Sequence, residues 1–251
     1  NEKYLSDIDK LNTYSNWSEF DLTLKDKELF LNGFSFTPDE DKYLNIFKHQ
    51  SPVTNTIENV LPENTSVFAS FGISDIAKFK SDLRNYQNHS HTLAEIQDKL
   101  SIIKSKYNID LEELIYPIID KEIAYVVTDI NSSDLMKNAF AVIKTNSRSL
   151  AEENMHKLQS NYANKKNNTI ASYYNDFKID NELSYRIFDM PFPEFGSLLF
   201  GNIFSGIECN YFAFIANYII LGKNTKAVMD FINNNRLNNT LKDDVNYINF
   251  S

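Results

Sequence analysis

Polar and apolar residues first alternate over Trp17–Leu24. Phe20, Leu22 and Leu24 sit between polar neighbours, which is the two-residue period of a strand. Lys25-Asp26-Lys27-Glu28 interrupts the pattern and Leu29–Phe36 resumes it, so the pair predicts a β-hairpin. Thr37-Pro38-Asp39-Glu40 then reads as a helix start: a Thr N-cap, Pro at the first helical position, and acids facing the helix dipole. The helix is expected to carry Tyr43, Leu44 and Phe47 and to end before Pro52. Residues 1–14 are polar with scattered apolar positions and are expected to form an arm or short helix.

From residue 57 a different unit appears three times: a short apolar strand, a small polar cap and an amphipathic helix. The copies are Ser66–Tyr86, Ala139–Tyr162 and Tyr218–Asn235. Their expected caps are Ser74 or Asp75, Asn146 or Ser147, and Asn224 or Thr225. Each strand can bury one face under its own helix while neighbouring strands complete a sheet. The spacing is irregular, which excludes a solenoid of fixed period.

Other elements fall between the copies. Thr92-Leu93-Ala94-Glu95 has capping-box spacing and opens a long helix with Ile96, Leu100 and Ile103 on one stripe. Leu111–Ile119 reads as a shorter helix bent or ended by Pro117. Strands are expected at Glu122–Ile130, Ile170–Tyr174, Phe177–Ile179 and Ser184–Asp189, with Asn131-Ser132-Ser133-Asp134 as a turn. Tyr211–Ile215 and Tyr218–Gly222 form a tight hairpin about Ala216-Asn217, and Val245–Ser251 alternates like a last strand. Hairpin-like strands between helical units predict an α+β fold, a mostly antiparallel sheet with amphipathic helices packed on it. Two parts are expected: residues 1–56 as arm, hairpin and helix, and 57–251 as the strand–helix domain.

Length and charge narrow the function. The chain has 251 residues, enough for one substantial core. A net charge of −9 opposes nucleic-acid binding, which needs clustered Lys and Arg. The single cysteine, Cys209, excludes an internal disulfide and a multi-thiolate zinc site. Asparagine clusters and a Lys-over-Arg bias reflect an AT-rich coding sequence rather than chemistry.

The common catalytic signatures are missing. Glycine is scarce, with six residues, and no phosphate loop or nucleophile elbow is present. Gly196, Gly201 and Gly206 sit among Phe and Leu and read as packing positions. Ser101-Ile102-Ile103-Lys104 matches a Ser-x-x-Lys spacing by chance, inside a helix. Adjacent acids such as Glu112-Glu113 diverge on a helix and do not make a carboxylate dyad. Cys209 reads as a buried thiol. His89-Ser90-His91 could chelate a metal if extended, but the spacing fixes no third ligand.

The most unusual segment is Met190–Ile207, rich in aromatics and without a polar face. Phe192, Phe195, Leu198, Leu199, Phe200, Ile203 and Phe204 would form a patch for a partner or an apolar ligand if exposed, and a core-capping segment if buried.

Several of these stretches together resemble an uncharacterised family of bacterial exported proteins, a domain of unknown function. They are Val60-Leu61-Pro62-Glu63-Asn64-Thr65, Ile109-Asp110-Leu111 leading to Glu122-Ile123-Ala124, the strand Ala139–Lys144 with its helix, and the hairpin Tyr211–Gly222 followed by Asn224-Thr225. Trp17-Ser18-Glu19-Phe20 and Asn32-Gly33-Phe34 look like the version found in Bacteroidetes-type bacteria. The resemblance implies an extracytoplasmic protein of the periplasm or envelope. It would be held at the membrane only by a leader preceding Asn1, and its chain would continue beyond Ser251. It carries no catalytic residues and no cofactor. The expected function is a non-catalytic binding or scaffold module for a protein or envelope component. The alternatives are an apolar-ligand carrier using residues 190–207 and a metal-dependent hydrolase at His89 and His91.

Overall fold

The computed structural model describes residues 12–25, 28–129, 135–178 and 184–250. Residues 1–11 of the arm expected over 1–14, and the turn at 131–134, lie outside the described residues; residues 12–14 form a turn. The fold is α+β. Strands β1 (Trp17–Lys25) and β2 (Glu28–Phe36) form a two-stranded sheet of their own. The other seven are β3 (Thr65–Gly72), β4 (Ile119–Thr128), β5 (Ala139–Thr145), β6 (Tyr174–Lys178), β7 (Ser184–Asp189), β8 (Tyr211–Ile215) and β9 (Tyr218–Gly222). They make one sheet in the order β3-β4-β5-β9-β8-β7-β6, antiparallel throughout.

The central strands read as unbroken apolar runs because both faces of the sheet are covered. Ile123, Ala141, Ile143, Ile219 and Leu221 face one core. Ala124, Val126, Phe140, Val142 and Ile220 face the other. The first core is closed by α1 (Ile76–His89), α2 (Leu93–Tyr107), α3 (Leu111–Ile115) and α4 (Arg148–Lys165), with Phe79, Leu83, Ile103, Leu114, Met155 and Leu158 inward. The second is closed by α6 (Thr225–Arg236) through Val228, Phe231 and Ile232, with Ile57, Val60, Leu61 and Leu241 beside it.

Each of the three strand–cap–helix segments has the local form its sequence dictates. The Asp75 carboxylate accepts from the N–H groups of Ala77 and Lys78, Ser147 Oγ from Leu150, and Asn224 Oδ1 from Ala227. These bonds satisfy donors that a helix start leaves open. Tyr43 and Ile46 sit in the same core as α1 and α4, so the chain before residue 57 packs with the body there.

Four local expectations need correction. The helix expected from Thr37 is a 3-10 turn over Tyr43–Phe47, because the Asp39 carbonyl accepts from the Asn45 amide and from Lys42 N–H instead of propagating a helix. Thr92 does not close a capping box. Its backbone is helical (φ −102°, ψ −12°) and its hydroxyl donates to the Gln87 carbonyl. Residues 170–173 are a 3-10 turn, and the strand starts at Tyr174. The last segment is the helix α7 (Val245–Phe250), not a strand: the Asp244 carboxylate accepts from Asn246 N–H, and Ile248 N–H bonds back to the Asp244 carbonyl.

Candidate binding surface

The β1–β2 ribbon stands out because water reaches each of its described side chains. Every described side chain of residues 16–24 and 31–36 is exposed. The register is continuous from Trp17↔Phe36 to Lys25↔Glu28. This register gathers Phe20, Leu22 and Leu24 of β1 with Leu31 of β2 on one face, since directly opposed residues share a face. Exposure of these four runs from 55% at Phe20 to 75% at Leu24. The other face carries Trp17, Phe34 and Phe36, and the Trp17 ring meets the two phenylalanines at 5.5 and 5.7 Å. These three are also about half exposed.

Polar contacts anchor the ribbon at its base. Asn16 Nδ2 donates to the Asp39 carboxylate at 2.5 Å, and the Ser18 and Ser35 hydroxyls bond across the strands at 2.7 Å. Just before them, the Thr13 and Tyr14 carbonyls accept from the N–H groups of Tyr43 and Leu44. Gly33, opposite Phe20, is required by close approach: a Cβ there would overlap the Glu19 carbonyl oxygen.

The apolar segment that the sequence singles out lies elsewhere. Phe192, Phe195, Leu198, Leu199, Phe200 and Phe204 are buried and Ile203 is partly buried against the same core. The exposed-patch reading of residues 190–207 is therefore corrected: the segment folds as α5 (Phe195–Phe200) and a 3-10 turn packed inward. The cavity that touches it, at Leu198, is about 20 Å³, room for about one water and not for an apolar ligand. The Cys209 thiol beside it is pushed up to about 12 by burial, so it stays protonated and is a poor nucleophile.

The histidines do not converge. His89 Nδ1 donates to the Asn85 carbonyl at 2.9 Å and lies 3.5 Å from a Glu40 oxygen, while His91 sits exposed at φ +59° after the helix end. Among the described residues no group of three His, Cys, Asp or Glu is placed to hold a metal ion. Another pair had no signal in the residue pattern: His49 Nδ1 donates to both oxygens of the buried Asp82 carboxylate, at 2.8 and 3.0 Å. A carboxylate so placed orients an imidazole. Among the described residues, however, the ring has no hydrogen bond to a hydroxyl or thiol.

Two of the surface clefts bear on function. One, of about 550 Å³, is lined by Arg148 and Arg186. Both guanidiniums are already engaged. Arg148 is held by Glu152 and the Ala216 carbonyl, lying over the Phe214 ring at 4.6 Å. Arg186 is bidentate to Asp176 and lies over Tyr174 at 3.9 Å. The other cleft, of about 410 Å³, reaches Ser70 and Glu122. The buried Glu122 carboxylate accepts from Thr56 N–H, Ile57 N–H, and the Thr56 and Ser70 hydroxyls, so it ties the loop before Ile57 to the sheet.

No family model, curated protein or solved structure matches this chain. No helix among the described residues is long and apolar enough to cross a membrane.

Proposed function

We propose that the protein is a non-catalytic binding or scaffold module whose contact surface is the β1–β2 hairpin. The observation that carries this reading is the exposure of Trp17, Phe20, Leu22, Leu24, Leu31, Phe34 and Phe36 on a ribbon that no other strand among the described residues extends. Phe20, Leu22, Leu24 and Leu31 share one face and together present on the order of 400 Å² of apolar surface, the size of a typical monomer's largest patch, which is often functional; Trp17, Phe34 and Phe36 form a smaller cluster on the opposite face. An isolated two-stranded ribbon is marginal in water, which also favours a covered state. These two clefts add no competing reading, because their charged groups are taken up by one another or by the backbone. The extracytoplasmic setting belongs to the same proposal and rests on the family resemblance alone.

The test compares the tagged protein with the triple variant Phe20→Ser/Leu22→Ser/Leu24→Ser in extracts of the native cell. The reading expects bound macromolecules, a second copy included, to be lost from the variant while its melting temperature is unchanged. Equal retention by both proteins would refute it.

A further inference from the structure

We infer that the occupant of the hairpin is a second copy of this chain, joined through the free edge of β1 about a two-fold axis at Leu22. This rests on the hairpin being the contact surface and names what pairs with its open edge. The edge is built to pair. It is nine residues long, has no proline, and shows no bulge in its register with β2. Proline, a bulge and a central lysine, three devices that block an exposed edge, are absent from it, and the charge at Asp21 restricts the register rather than the edge as a whole.

The side-chain sequence selects the register. A two-fold antiparallel pairing must keep the apolar faces together, which restricts the axis to a residue rather than the gap between two. An axis at Asp21 would oppose two carboxylates, and an axis at Phe20 would set Glu19 against Asp21. An axis at Thr23 would pair only residues 21–25 and leave Phe20 out. The axis at Leu22 pairs residues 19–25: Leu22 meets Leu22, Phe20 meets Leu24, and Glu19 meets Lys25 of the other copy, each of the last two contacts occurring twice. Opposed aromatic–aliphatic and unlike-charge pairs of this kind stabilise neighbouring strands. The product is a four-stranded sheet with one continuous apolar face, beyond the two-strand limit that makes the isolated ribbon marginal. A closed isologous pair also uses up the same edge on both copies. A lipid surface fits less well, because the end of the ribbon where Lys25 is registered with Glu28 would have to enter the bilayer first.

The experiment is sedimentation equilibrium of the purified full chain over about 1–100 μM, a range that covers weak dimers. The wild type is expected to dimerise. Glu19→Lys and Lys25→Glu alone should each weaken the dimer roughly tenfold, because each opposes like charges twice. Mixing the two variants one to one should restore a heterodimer. The lysine introduced into one chain then faces the glutamate introduced into the other, and the native Lys25 of the first faces the native Glu19 of the second. As a second readout, Leu22→Cys should oxidise readily to a covalent dimer and Leu31→Cys should not, the native Cys209 being buried. A wild type monomeric throughout, a mixture that stays as weak as its components, or equal oxidation at 22 and 31 overturns self-pairing. So does a monomer that co-sediments with phosphatidylcholine vesicles. A monomer would still leave the contact-surface reading standing if the triple serine variant loses another bound macromolecule, so the two can fail separately.

Discussion

The Tyr43 hydroxyl donates a 2.7 Å hydrogen bond to the carbonyl oxygen of Phe200. Both residues are buried, and the bond ties the turn that follows the hairpin to the apolar segment at the centre of the core. The fit around it is close. Gly201 has φ +87°, and a Cβ there would lie 2.9 Å from the Tyr43 ring. Burial raises the Tyr43 hydroxyl well above its ordinary range, so it remains a donor at any physiological pH. Tyr43→Phe should therefore cost about 1–2 kcal/mol, the penalty for a buried carbonyl left without its partner. Urea unfolding checks it, as a lower midpoint with an unchanged slope.

Core and hairpin should respond oppositely to the same substitution. Phe195→Asp buries a charge without a partner and is expected to cost several kcal/mol, on the order of the whole stability of a domain. Phe20→Asp lies on an exposed strand and should change stability by about 0.5 kcal/mol or less. Thermal melts of the two variants decide it. A folded Phe195→Asp protein would return residues 190–207 to the surface.

Glu122 is the buried charge whose loss should be felt most. Its carboxylate holds two backbone donors and two hydroxyls. Glu122→Ala should cost about 2–4 kcal/mol, since hydrogen bonds to a charged group are worth more than neutral ones and their partners are left unpaired. Glu122→Gln keeps an acceptor and should cost less. Amide exchange at Thr56 and Ile57 should accelerate in the alanine variant.

Asp110 gives a pH signature. Burial alone would raise its carboxyl, but the Lys104 ammonium 2.7 Å away and the Glu113 N–H it caps outweigh burial and hold it below the usual carboxylate range. A depressed folded value means the stabilisation is present above the unfolded value and disappears as pH falls through the folded one. Asp110→Asn should thus be destabilised near neutral pH by at most about 1 kcal/mol, given the exposed Lys104, and match the wild type in acid. Denaturation at neutral pH and in acid measures the difference.

Local rules made much of the fold legible. Asp75, Ser147 and Asn224 cap because each is itself extended, with its side chain free to turn back onto the first helical turn. Ala139–Lys144 reads as a strand because its run of five apolar residues fits a sheet covered on both faces. Thr92 failed because its own backbone is helical rather than extended, so its side chain does not turn back onto the first-turn N–H groups. Val245–Phe250 failed because four apolar positions in six residues fit either period, and the deciding signal was the N-cap at Asp244. The candidate surface was half legible. Alternation marked the hairpin and its two faces, but no pattern within a strand says whether another element covers it. Phe192–Phe204 showed the converse: its lack of a polar face marks burial on all sides as well as it marks a binding patch.

A photo-crosslinking amino acid at Leu22, with a control at the exposed Ile102 on α2, probes the hairpin contact without perturbing the core. After irradiation in the native cell, pairing through β1 should give a discrete adduct from position 22, at twice the chain's own mass, and none from position 102. An absence of adducts at 22, or the same products from both positions, would contradict it.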